Sequence, residues 1–125
     1  MSFDAIGIVS SDLQRSVKFY EILGLNFEEV GSPDHLEAKT SSGIRIMLDS
    51  VSLVKKINPD WEESTGGGAV LCFKQESATK VDELFDEIVQ AGFTSIKEPW
   101  DAFWGQRYSS VQDPDQNQID IFATL

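Results

Sequence analysis

One cysteine, one histidine and four prolines are all that 125 residues contain of those types, and each scarcity excludes something. Cys72 alone can form neither an internal disulfide nor a thiolate metal cluster, so a reducing, cytoplasmic setting is expected. His35 falls in an expected turn, Pro33-Asp34-His35-Leu36, and with no second histidine it reads as an exposed turn residue rather than a ligand. No apolar run approaches the ~20 residues that a membrane span requires. The opening MSFDAIGIVSSD has no basic segment followed by an apolar core, so no membrane association is expected. Basic residues are few, with 10 Lys and Arg against 21 Asp and Glu and a net charge of −11. That surface favours solubility, repels nucleic-acid phosphates and attracts cations. No Gly-x-Ser-x-Gly elbow is present, and Gly66-Gly67-Gly68 lacks the Lys and Ser/Thr of a phosphate loop.

What is present is a globular composition, 41% hydrophobic and 10% aromatic, arranged in two similar halves. In the first, Ala5 to Val9 reads as a strand and Ser11-Asp12-Leu13-Gln14 as a capping box. The helix it opens carries the stripe Leu13, Val17, Tyr20 and Leu23 and ends at Gly24. Strands are expected over Asn26–Val30, Leu36–Thr40 and Ile44–Leu48. The second half repeats this order. Val70–Lys74 is a strand, Ser77 caps a helix with the stripe Val81, Leu84, Phe85, Ile88 and Val89, and Gly92 ends it. Strands follow near Thr94–Lys97, Gln106–Gln112 and Gln118–Ala123. The fold class is therefore α+β, two βαβββ modules within one domain spanning 1–125: module one about 3–50, a linker about 51–67, and module two about 68–125. Two such units can curl their bare sheet faces into an open cup with the helices outside. Alternation then turns Ala5, Gly7 and Val9, Arg45 and Met47, Val70, Cys72 and Lys74, and Asp120 and Phe122 away from the helices.

Asp4-Ala5-Ile6-Gly7-Ile8-Val9-Ser10-Ser11-Asp12-Leu13, Phe19-Tyr20 and Leu23-Gly24-Leu25 resemble the opening of the vicinal oxygen chelate superfamily. That group includes glyoxalase I, extradiol dioxygenases and the bleomycin-resistance proteins. Trp104-Gly105-Gln106-Arg107-Tyr108 and Asp113-Pro114-Asp115-Gln116-Asn117 resemble its closing motif, most closely in the bleomycin-resistance-like branch. The resemblance implies a homodimer and, in the enzymes, a divalent metal held by His, Glu or Gln. Carried over, those positions fall on Ala5, on Arg45 or Met47, near Val70, and on Asp120. One carboxylate cannot supply the three or more ligands of a catalytic metal, so no metal or other cofactor is expected. Enzymatic activity is left open, with the ligand set weighing against it. The closing turn also carries Gln116 where the family usually has Gly, with Asn117 beside it to accept a positive φ.

The crowd of aromatics before the last strand gives the functional expectation. Trp100, Phe103 and Trp104 lie in an expected loop, where they could wall a pocket or an interface. In the bleomycin-resistance branch the residue matching Trp104 helps line a drug cleft. The expected function is metal-independent sequestration of a small cationic or aromatic molecule. Trp104, Phe103, Trp100, Phe122 and Met47 would be the walls, Cys72 would lie beside them, and Asp120 and Arg45 would be polar contacts or a buried ion pair. The alternatives are a metal-dependent lyase or dioxygenase, and a dimeric structural module with no small ligand.

Overall fold

In AIGIVS the alternation buries Ile8 and Ser10 on one face and leaves Gly7 exposed on the other. This segment is β1 (Ala5–Ser10) of the computed structural model, which describes residues 1–63 and 68–125. Gly66 and Gly67 of the expected linker lie outside the described residues. The chain divides into two compact units after Glu63.

In the first unit Asp12, one residue after the expected Ser11, caps α1 (Leu13–Ile22) by accepting from the Arg15 backbone N–H at 3.2 Å. Gly24 takes φ +92°, the left-handed turn that ends the helix without a Cβ clash. Then come β2 (Glu28–Ser32), β3 (His35–Lys39) and β4 (Arg45–Ser50), in the sheet order β1-β4-β3-β2 with β1 and β4 parallel. Leu36, Ala38, Ile46 and Leu48 join Ile8, Phe19 and Tyr20 in the core. Each such large side chain contributes roughly 1.5–3 kcal/mol by leaving water. The stretch expected to be linker opens instead with a helix, α2 (Val51–Ile57), because Val51, Leu53, Val54 and Ile57 repeat at helical spacing. Ser50 caps it, accepting from the Leu53 N–H at 3.1 Å.

The second unit repeats the plan with β5 (Leu71–Lys74), α3 (Ala78–Gln90), β6 (Thr94–Ala102), β7 (Gln106–Gln112) and β8 (Gln118–Thr124), in the order β5-β8-β7-β6. Ser77 caps α3, and Val81, Leu84, Phe85 and Ile88 are buried with Val111, Ile119, Ile121 and Ala123 of the sheet. Val89, expected in that stripe, is exposed, one residue past Ile88 and off the apolar face. Strand β6 runs five residues beyond the expected end at Lys97, to Ala102, which puts Trp100 on a strand rather than in a loop. It is an edge strand, so Pro99 costs no ladder bond, and the register shifts between Lys97 and Trp100 accommodate it. The fold is α+β, two βαβββ modules each with a mixed four-stranded open sheet. Among the described residues no helix is long and apolar enough to cross a membrane.

Candidate functional site

Strand register sorts the helix-free face of the second sheet into two rows. Lys74 pairs with Phe122, Phe122 with Tyr108, and Tyr108 with Trp100, one residue from each strand. The adjacent row is Cys72, Asp120, Ser110 and Lys97. Opposite residues project to the same side. The first row is aromatic at its centre: Tyr108 and Phe122 stack with centroids 5.9 Å apart. The β6–β7 turn then folds Trp104 onto it, edge to face with Tyr108 at 5.3 Å and Trp100 at 5.5 Å. Phe103 packs on Trp104 at 4.9 Å and is 92% exposed, while Trp104 is 48% exposed. The Trp104 indole N–H donates to Gln106 Oε1 at 2.7 Å, fixing the ring.

Beneath the rings Asp120 is buried and fully bonded. Its Oδ2 accepts from the Tyr108 hydroxyl at 2.6 Å, and its Oδ1 from Ser110 Oγ at 2.7 Å and Gln118 Nε2 at 3.0 Å. Burial, reinforced by the bond to Asp120, pushes the Tyr108 phenol above its ordinary range, so it stays a protonated donor. Cys72 is exposed, its Sγ 4.0 Å from the Tyr108 hydroxyl.

The corresponding face of the first sheet is polar. His35 bonds Asp49 through Nδ1 and Glu37 through Nε2, the latter at 2.7 Å. Glu37 also accepts from Arg45, whose guanidinium reaches Asp4 at 2.6 Å. The bond to Asp49, then that to Glu37, raises the His35 pKa; the bond to His35, then that to Arg45, lowers the Glu37 pKa. His35 is thus no exposed turn residue but the first residue of β3, bonded on both ring nitrogens. Of the two expected polar contacts, Arg45 is held within the first module by Asp4 and Glu37, and Asp120 within the second by Tyr108 and Ser110. The sequence reading missed His35, Glu37 and Asp49 as a group. Its available signal was alternation along β3 and β4, which aligns them once register is known.

The family's metal can be tested against these donors. Gly7 and Cys72 each stand five residues before their helix cap, Asp12 and Ser77, and pair with Met47 and Asp120 respectively. Met47 is therefore the first-module counterpart of Asp120, and Arg45 lies beside Ala5. A methyl at Ala5, a thioether at Met47, the isopropyl of exposed Val70 and one carboxylate holding three hydrogen bonds do not fit a divalent cation. His35, Glu37 and Asp49 do not fit one either, since the carboxylates sit at opposite ring nitrogens and converge on no point.

Residues 2–121 match the Glyoxalase/Bleomycin resistance protein/Dioxygenase superfamily. Among solved structures, a glyoxalase/bleomycin resistance protein/dioxygenase family enzyme from Burkholderia phytofirmans PsJN is similar over the whole of both chains, 22% identical with a TM-score of 0.88. A glyoxalase-related enzyme from Fulvimarina pelagi is 21% identical over 98% of this chain and 88% of its own, with a TM-score of 0.86. A protein of unknown function from Agrobacterium tumefaciens str. C58 is 26% identical over 100% of this chain and 95% of its own, with a TM-score of 0.76. No curated protein matches the sequence. The two repeated modules, the paired strand rows and the match over nearly the entire length agree: this chain belongs to the glyoxalase/bleomycin resistance protein/dioxygenase superfamily.

Proposed function

We propose that the chain binds a small aromatic molecule without a metal and without chemistry, in the manner of the bleomycin-resistance-like branch. The observation that supports this is the half-exposed ring array Trp100–Trp104–Tyr108–Phe122, extended by the exposed Phe103. Ring edges and faces already ordered against one another offer flat apolar area with little rotamer freedom left to lose on binding. Asp120 supports the platform from below by holding Tyr108, rather than meeting the ligand as a charge. In the first module Arg45 is engaged by Asp4 and Glu37, and Met47 stands opposite Gly7 on the same sheet. Assembly as a homodimer belongs to the same reading.

The test is calorimetric titration, in chelator, with 2-naphthalenemethanol, a neutral two-ring probe, and with metal-free bleomycin. Saturable binding weakened about tenfold by Trp104→Ala is expected from the loss of one well-placed ring. Binding untouched by that substitution would move the site elsewhere. Sedimentation of the same variant separates the roles of the ring: a pocket Trp can be lost with assembly intact, whereas an interface Trp cannot.

A further inference from the structure

The two rows carry a charge pattern opposite to that of the chain as a whole. Of the eight residues in them, the ionisable charges are Lys74, Lys97 and Asp120. Asp120 is only 6% exposed and both its oxygens are taken by Tyr108, Ser110 and Gln118, so no carboxylate of these rows is open to a ligand. The accessible charges are two ammonium groups, one at each end of the rows. Lys74 stands on β5 beside Phe122, and Lys97 on β6 places its Nζ 4.9 Å from the centroid of the Trp100 ring. Neither lysine is in an ion pair among the described residues. The nearby carboxylates turn the other way. Asp101 pairs with Arg107, which also grips Asp82 of α3, and Glu98 lines a depression with Asp82, Asp86 and Phe85 on the helix side.

We infer that the ligand of this face is an aromatic anion, a planar ring system carrying a carboxylate or comparable acidic group, its charge met by Lys97 and Lys74 at the ends of the ring array. The inference rests on the aromatic-binding reading above and adds the sign of the charge. A cationic ligand would find the face of Trp100 already covered by an ammonium, and the one carboxylate of these rows already bonded. An anionic one stacks on Trp104 and Phe103 while its charge meets Lys97.

Three isosteric probes decide the matter by calorimetry in chelator: 2-naphthoate, 2-naphthalenemethanol and 2-naphthylmethylammonium. The expected result is 2-naphthoate tightest, by about two- to fivefold over the alcohol, as exposed ion pairs give. Lys97→Gln should erase most of that preference, and Lys97→Arg should restore it. An unchanged circular-dichroism spectrum and thermal transition show that the variant is folded. Equal affinity for anion and alcohol, or tighter binding of the ammonium, with sensitivity to Trp104→Ala kept, overturns the anionic assignment and leaves the aromatic site standing. No binding of any probe overturns both.

Discussion

Gln116, in the turn between β7 and β8, is the one non-glycine with a positive φ among the described residues, at 68°. A left-handed conformation costs an L-residue roughly 1–2 kcal/mol, and glycine escapes it at the expense of a more flexible unfolded chain. Gln116→Gly is therefore expected to stabilise by about 0.5–1 kcal/mol and to raise Tm by about 2–5 °C in scanning calorimetry. A fall would mean that the glutamine side chain holds the turn. The sequence reading gave the positive φ to Asn117, the residue type that tolerates it best. Asn117 is committed otherwise: its backbone N–H donates to Asp113 Oδ1 at 2.9 Å and its side-chain amide to Asp113 Oδ2 at 2.8 Å. Residue preference showed that the turn needs such a conformation; only the bonding of Asp113 decides which residue bears it.

Among the elements, β3 and β4 carry a pH dependence. His35 stands between Asp49 and Glu37, and Glu37 between His35 and Arg45. With its pKa raised on folding, the imidazolium contributes stability that is complete below the ordinary histidine value of about 6.5 and is lost as pH rises through the higher folded value. Glu37, with its pKa lowered, contributes stability present above its ordinary value and lost as pH falls through the lower folded one. The network is thus complete in mildly acidic solution. Thermal melts from pH 6 to 9 should show the native protein losing Tm relative to His35→Gln, and parallel curves would sink this assignment. Helix caps, apolar stripes and strand order were legible because each is written in local spacing: Ser77 before Val81, Leu84 and Ile88, or Gly92 after Val89. The chain from Asp4 to Asp49 was not, because it joins β3, β4 and the residue before β1, and pairing register decides which side chains meet. Helix α2 escaped for a different reason: its seven residues, Val51–Ile57, are too few for the apolar spacing of Val51, Val54 and Ile57 to stand out between two repeated modules.

At the scale of the molecule, composition and geometry give opposite hints about charge. The net charge of −11 suggests a cationic ligand, whereas the rows around Trp100 and Phe122 present ammonium groups. Composition reports a sum, and a ligand within contact distance meets a few particular side chains. The two are separated by the reach of the field, about 30 Å at 0.01 M salt and about 8 Å at 0.15 M. The sum acts mainly on the protein itself, through repulsion among 21 acidic groups set against 10 basic ones. The ion-paired chains Asp4–Arg45–Glu37 and Asp82–Arg107–Asp101 draw only a few of those carboxylates into favourable contact. Repulsion among the remainder should dominate the salt response of stability. Raising NaCl from 0.01 to 0.15 M is therefore expected to increase Tm by a few degrees at pH 7. A decrease would show that the paired chains outweigh the excess of acid. Repeating the melt with Arg45→Met would then tell which module carries the difference, since that substitution breaks the first chain and leaves the second intact.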